Sequence, residues 1–245
     1  HLECSVMAEA LLGETFDIHG GGIDLVFPHH QNEIAQSTCA HDGAAFANYW
    51  MHNGHVTVGG EKMSKSLGNF LTVHELLDEF PGEAIRLTLL SAHYRQPLDF
   101  TKDAIGEARR TLDKWYRAIV DATAAVELPE AVEAALCDDL NTPKAIAEMH
   151  RLSDLAMAGD AAAASDMKAV GGILGLLQST PETWFQGAGS DDDLSADAIE
   201  GLIEKRREAR ANKDFATSDQ IRDDLAAQGI VLEDGAGGTT WRRGG

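Results

Sequence analysis

Positive charge is what this sequence has least of: 20 Lys and Arg stand against 40 Asp and Glu, for a formal net charge of −20. A phosphate backbone is held by a basic surface, so broad, non-specific nucleic-acid binding is excluded and any RNA contact is confined to local strips. Cysteine is scarce as well. Only Cys4, Cys39 and Cys137 occur, and one of them must stay unpaired within the chain. That excludes a disulfide-stapled scaffold and points to a reducing, cytoplasmic setting. No run of about 18 apolar residues exists, so no membrane span is expected. The opening residues, HLECSVMAEALLG, lack an initiator Met, a basic stretch and a cleavage pattern. They read as the interior of a longer protein, not as a signal peptide.

What is present is ordinary globular material, 44% hydrophobic and 24% charged over 245 residues, enough for one or two domains. Ser5 is placed to cap a helix running to about Leu12 and ended by Gly13. Thr15–Ile18 alternates like a short strand leading into Gly20, Gly21 and Gly22. Pro28 suits the first turn of a helix reaching about Cys39. Trp50–Met51 and His55–Val58 read as strands, with a turn at Gly59–Gly60, and residues 72–79 and 82–92 as short helices. From about residue 101 the apolar spacing becomes helical, over 102–125, 142–158 and 160–176, with Asn141-Thr142-Pro143 as a helix start. Residues 185–193 are small, polar and acidic, as in a linker. Helices over 195–211 and 214–228 follow. Gly229 can end the second, and Ile230–Leu232 and Thr239–Trp241 can pair as a hairpin around Gly235–Gly238.

Three segments carry chemistry. Lys62-Met63-Ser64-Lys65-Ser66 lies between Gly59-Gly60 and Gly68, where a loop with two lysines and two hydroxyls suits closure over a triphosphate. A bare pair of lysines would serve equally as a solvated loop. His19-Gly20-Gly21-Gly22-Ile23-Asp24-Leu25 ends a strand. Its glycines let a ligand approach the backbone, and Asp24 could accept bonds from a ribose or an amine. By itself the run also fits a plain strand–turn–helix connection. In Pro28-His29-His30-Gln31-Asn32-Glu33, His29 and Glu33 are four apart and share a helix face. Imidazole and carboxylate at that spacing can share a zinc ion, with Cys4 adding a thiolate from elsewhere. A surface His–Glu pair fits the same spacing.

The three segments occur in this order within about 65 residues. Together with HLECS, FDIHGGGIDLVFPHHQNEIAQS, YWMHNGHV, GEKMSKSLGNF, IRLTLLSAHYRQPLDF, DDLNTPKA and GTTWRR, they resemble the class I aminoacyl-tRNA synthetases, and among these the cysteinyl-tRNA synthetase family. The resemblance covers essentially the whole chain, as a C-terminal half. It implies an α/β then mostly α fold. Residues 1–56 would be the second half of a Rossmann-like catalytic domain and 57–100 the KMSKS stem-contact region. A helical bundle over 101–182 and a small mixed α/β anticodon-binding domain over 190–245 would follow.

Residue by residue, the resemblance implies that Cys4, His29 and Glu33 are zinc (Zn2+) ligands, and that the metal takes the thiol of the substrate cysteine. Zinc prefers thiolate, so serine is rejected. His19 would lie in the active-site floor. Gly20, Gly21, Gly22 and Asp24 would hold the adenylate, and Lys62 and Lys65 the phosphates of ATP, which arrives with Mg2+. Partners would be cysteine, ATP and tRNA-Cys, met by a monomer in the cytoplasm. Candidate RNA strips are Arg206, Arg207, Arg210 and Lys213, and Trp241-Arg242-Arg243, although Trp241 could equally be core. The family's HIGH-like motif and an upstream fourth zinc ligand, a cysteine, are absent here, so the chain by itself is expected not to activate cysteine. Gln31 replaces the family's usual Glu and points off the His29–Glu33 face. Two other readings compete: a cysteine–glucosaminyl-inositol ligase of mycothiol synthesis, and a non-catalytic tRNA-binding fragment.

Overall fold

The structure is a computed structural model, and it describes residues 1–63, 68, 70–186, 194–235 and 238–243. The chain opens with helix α1 (Leu2–Leu12), which Gly13 ends at a φ of 94°. Ser5 does not cap this helix. It lies one turn inside and is buried, while His1 holds the N-cap position. Strand β1 (Phe16–Gly22) leads through two short irregular turns, the second over Val26–His30, to α2 (Gln31–Ala40) and strand β2 (Ala47–Asn53). The glycine run is therefore the end of β1 and not a loop after it. β1 pairs with β2 in parallel, with Phe16 opposite Ala47 and Gly21 opposite His52. Phe16, Phe46 and Ala47 make a small core, with Ala8 and Trp50 against it. Parallel sheets are ordinarily covered on both faces, yet Ile18 and Tyr49 are exposed here, as are Leu2, Leu11 and Leu12 of α1.

The next segment is a three-stranded sheet of β3 (Val56–Val58), β4 (Glu61–Lys62) and β5 (Leu98–Asp99), with β3 in the middle. The β3–β4 turn needs left-handed backbone at Gly59 and Gly60, φ 61° and 82°, as their identity suggested. Between β4 and β5 lie α3 (Val73–Leu77) and α4 (Gly82–Leu90). α3 starts on a full capping box, Thr72 and Glu75 each satisfying the other's backbone N–H.

Five helices follow: α5 (Lys102–Ala118), α6 (Glu130–Cys137), α7 (Thr142–Met157), α8 (Ala161–Leu174) and α9 (Pro181–Gln186). α5 is shorter than its apolar spacing predicts, because Asp121 adopts a φ of 61° and turns the chain away. α6 and α9 were not legible from periodicity, being barely two turns each. Asn141 caps α7 as its sequence requires, its side chain accepting from Lys144 N at 3.2 Å. Ile105, Leu112, Trp115, Tyr116, Met149 and Met167 build one core, and Leu76 and Leu87 from α3 and α4 belong to it without a break. Each such side chain stabilises the fold by about 1.5–3 kcal/mol. Glu83 ties the two parts together: Leu177 N and Gln178 N donate to it at 2.8 and 3.0 Å, and the Tyr116 hydroxyl at 2.9 Å.

A separate core of Ile199, Ile203, Leu225, Ile230 and Trp241 holds the C-terminal part. It comprises α10 (Ala196–Ala211), α11 (Phe215–Ala227) and the antiparallel pair β6 (Ile230–Gly235) and β7 (Gly238–Arg243), with Leu232 opposite Trp241. Residues 187–193 of the expected linker lie outside the described residues.

Candidate metal and nucleotide site

The folding of α1 against α2 brings Cys4, His29 and Glu33 together, their ligand atoms all within 4.8 Å of one another. Cys4 comes from the first turn of α1, and His29 from the turn that feeds α2. Glu33 sits in the first turn of α2. Glu33 is the group that makes this a site. It is 1% exposed, and among the described residues neither carboxylate oxygen has a hydrogen-bond donor. His19 Nε2 and His29 Nε2 stand 3.2 and 3.3 Å from its two oxygens. These contacts are of ion-pair length without hydrogen-bond geometry. A buried carboxylate left so costs several kcal/mol unless a cation faces it. A thiol, an imidazole and a carboxylate converging on that point form a donor set suited to zinc, so the residues present fit the ion. His29 is oriented for it from behind, with its Nδ1 2.7 Å from His1 Nδ1 and its Nε2 turned to Glu33.

Glu33 also belongs to a second group, with His19 and His30. His30 is buried, with its Nδ1 2.8 Å from His52 Nε2. Its pKa is lowered, first by burial and then by the neighbouring His19. The His19 ring packs edge-on against His30 and tilts over Trp50, both at 4.7 Å between centroids. His30, Trp50 and His52 were not singled out from sequence. Their signal was modest: Trp50 and His52 alternate onto one face of β2, and His30 hides beside the more obvious His29.

Gly20 and Gly21 line a cavity of 420 Å³ with Met51, Asn53, Tyr94 and Thr142. It lies off the carboxyl ends of the parallel strands, where open α/β sheets receive ligands. Gly22 and Asp24 are not among its walls. The glycines are needed for space: a Cβ at Gly21 would lie 2.8 Å from His30 Cε1, and one at Gly22 would run into the Asp24 carboxylate. Lys62 enters through the backbone of β4, but its side chain and all of Lys65 lie outside the described residues.

Of the expected RNA strips, Arg206, Trp241 and Arg243 are taken up in packing, whereas Arg207, Arg210 and Lys213 stay exposed. Arg206 is 5% exposed and grips Asp234 through both Nη atoms, and Arg210 joins the same carboxylate at 3.3 Å. Arg207 pairs with Glu204 on its own helix. Trp241 is core, its Nε1 donating to Glu200 at 2.8 Å. Arg243 donates to the carbonyls of Gln186 and Leu194. Charge alone could not separate these structural arginines from ligand-facing ones.

Residues 1–110 match the family of the class I (C) tRNA synthetase catalytic domain, 131–178 the DALR domain, and 191–242 the cysteinyl-tRNA ligase anticodon-binding domain. A cysteine–tRNA ligase of Acidiphilium cryptum is 56% identical over 99% of this chain and 54% of its own length. One of Rhodospirillum centenum is 58% identical over 99% of this chain and 55% of its own. The Agrobacterium radiobacter agnB2 LeuRS, solved as a ternary complex with tRNA and LeuAMS, superposes at a TM-score of 0.52 with 20% identity, covering 64% of this chain and 25% of that one. That likeness establishes a class I synthetase fold. No described helix is long and apolar enough to cross a membrane. The chain spans about half the length of the curated relatives it matches, and by identity along nearly all of its residues it belongs to the cysteinyl-tRNA synthetase family.

Proposed function

We propose that the whole protein joins cysteine to tRNA-Cys at the expense of ATP, and that Cys4, His29 and Glu33 select the amino acid. The observation that carries this reading is the buried Glu33 carboxylate, which accepts no hydrogen bond among the described residues and faces a thiol and an imidazole. Zinc held by these three would supply a thiophilic Lewis acid that favours a thiol over a hydroxyl. His19 orients Glu33. Gly20, Gly21 and Gly22 give the nucleotide close access to the backbone, and Asp24 accepts from the amine or ribose. Lys62 and Lys65 meet the phosphates, with Mg2+ accompanying them.

The cysteine carboxylate attacks the α-phosphorus, forming the acyl–phosphate bond as the bond to pyrophosphate breaks. A terminal ribose hydroxyl of the tRNA then attacks the acyl carbon and AMP leaves. Charge accumulates on the phosphate oxygens in the first transition state, which is where mobile lysines contribute most. By role, residues 1–56 would serve catalysis, 57–100 carry the loop, 101–182 form the bundle and 190–245 contact the anticodon. The free, exposed thiols of Cys4, Cys39 and Cys137 agree with a reducing cytoplasm. The matched anticodon-binding domain favours this reading over a ligase for a sugar acceptor.

The test is cysteine-dependent ATP–pyrophosphate exchange by the full-length protein, followed by charging of tRNA-Cys. Lys65→Ala should lower exchange by about 100-fold. Exchange with serine equal to that with cysteine, or ligation of cysteine to glucosaminyl-inositol without tRNA charging, overturns the reading.

A further inference from the structure

Arg206, Trp241 and Arg243 of the strips first suspected of holding RNA are taken up in packing, but Arg242 joins a second basic group on the bundle. A cleft of 490 Å³ runs between α5 and β7, walled by Arg109, Arg110 and Arg117 on the helix, Arg242 on the strand, and Phe80 and Asp113. In a chain of net charge −20 this is a local inversion of sign. α5 itself carries five basic against three acidic side chains, so the cleft draws on the most basic long helix available.

The acids nearby offset the arginines only in part. Asp113 lines the cleft, with one oxygen held by Trp184 Nε1 at 2.7 Å. Glu233 is shared, 2.8 Å from Arg242 and 3.6 Å from Arg117. Arg110 and Glu107 are 3.8 Å apart and each more than 70% exposed, a pairing that water largely screens. Arg109 makes no ion pair among the described residues. The Arg117 guanidinium lies over the Phe185 ring at 4.8 Å, which helps hold it in place and leaves its N–H groups able to donate. Along α5, Arg109 to Arg117 covers about 12 Å, the reach of a few successive phosphates.

The geometry points to this cleft as the seat of an RNA phosphate backbone, bridging the bundle to the C-terminal part. The inference rests on the tRNA ligase reading above and names where that RNA lies. Guanidinium groups spread along one helix face and met by a fourth from a strand suit a backbone read by charge and shape, with no base recognised.

The experiment uses the full-length protein with Arg109 and Arg110 both changed to Gln, and a second variant with both changed to Glu. Both side chains lie off the core, and circular dichroism checks that each variant folds. Cysteine-dependent ATP–pyrophosphate exchange needs no tRNA and should stay at the parent level. If the parent itself lacks that exchange, the ligase reading fails, independently of the cleft. With exchange intact, the KM for tRNA should rise about tenfold in the Gln pair, and more in the Glu pair. The slope of log binding constant against log salt should become shallower by about 1.5. Arg222→Gln, on α11 and paired with Asp219 and Asp223, should leave both quantities unchanged. An unchanged tRNA KM and salt slope in the Gln pair overturns the inference and would give the cleft to an acidic protein surface instead.

Discussion

Arg206 and Asp234 form a two-armed pair, Nη1 to Oδ1 at 3.0 Å and Nη2 to Oδ2 at 3.1 Å, that fastens α10 to the β6–β7 hairpin. Thr239 adds its hydroxyl at 2.6 Å, so one carboxylate serves the helix and both strands. The guanidinium and the hydroxyl hold the Asp234 carboxyl well below the usual carboxylate range. The arginine is buried and the aspartate half-exposed. Removing the acid therefore strands a desolvated cation, whereas removing the base leaves a group that water can reach. Asp234→Ala should destabilise the C-terminal part by about 2 kcal/mol, and Arg206→Met by less. Native-state hydrogen exchange of the β6–β7 amides would report both. Equal losses in the two variants would mean that the pair acts only as a surface contact.

Glu33 makes the prediction for metal. Zinc added to the chain should shield the Cys4 thiol from alkylation and slow exchange in the first turn of α2, because ligand binding to the folded state stabilises it by mass action. Glu33→Gln removes the charge but keeps the shape, and Cys4→Ala removes the sulfur. Each should weaken zinc binding by at least about 10-fold, read by competition with a chromogenic chelator. Gln31→Glu, on the exposed side of α2, should change it little. Parent-like zinc affinity in Glu33→Gln would remove the carboxylate from the ligand set.

The sequence disclosed which side chains would meet at the candidate site more fully than what surrounds them. The convergence of Cys4, His29 and Glu33 was legible because a four-residue spacing is a geometric statement and Cys4 could reach in from another element, as the family resemblance also implied. What could not be read was tertiary. Nothing in the spacing said that Glu33 would be buried without a donor, or that His30 and His52 would touch. The elements followed their local signals where those were strong: the capping asparagine of α7, the Gly59–Gly60 turn, the Leu232–Trp241 pairing. They departed where two turns or fewer gave no period, at α6 and α9. Arg206 and Arg109 are both arginines on helices, and only packing tells the structural one from the one facing a cleft.

The glycines separate space from conformation. A Cβ at Gly20 would meet the Met51 carbonyl at 3.5 Å, an ordinary contact, whereas one at Gly21 would press on His30 and one at Gly54 would overlap the Gln96 carbonyl. Gly20→Ala should therefore fold like the parent but crowd the cavity, raising the KM for ATP or cysteine in the full-length protein. Gly54→Ala meets backbone that cannot rotate away, and should cost about 2–3 kcal/mol by urea unfolding. Gly21→Ala should fall between, since a histidine ring can tilt, and should weaken the His30–His52 contact, visible as a shift in the His30 ring resonances. A Gly54→Ala protein as stable as the parent would show that the β2–β3 junction is looser than the structure has it.

Asp139 gives the pH prediction. Its carboxylate takes Arg95 Nε at 2.6 Å and the Tyr94 hydroxyl at 2.7 Å, and these bonds, the arginine's first, hold its pKa at about 2. The clamp joins the segment after α4 to the α6–α7 corner, where Asp139 and Leu140 adopt φ values of 56° and 54°. In the unfolded chain the same group titrates near the ordinary aspartate value of about 3.9. A depressed native pKa means that the unfolded state binds the proton more readily. The stabilisation is thus fully present above about pH 4 and is lost as pH falls through that value toward 2. Asp139→Asn should lower the urea midpoint near pH 6, with the gap to the parent closing as pH approaches 2. Because the carboxylate is exposed, the gap should also narrow in 1 M salt, where charges are screened beyond about 3 Å. A gap that stays constant from pH 6 to pH 2 would mean that Asp139 stabilises this corner independently of its charge.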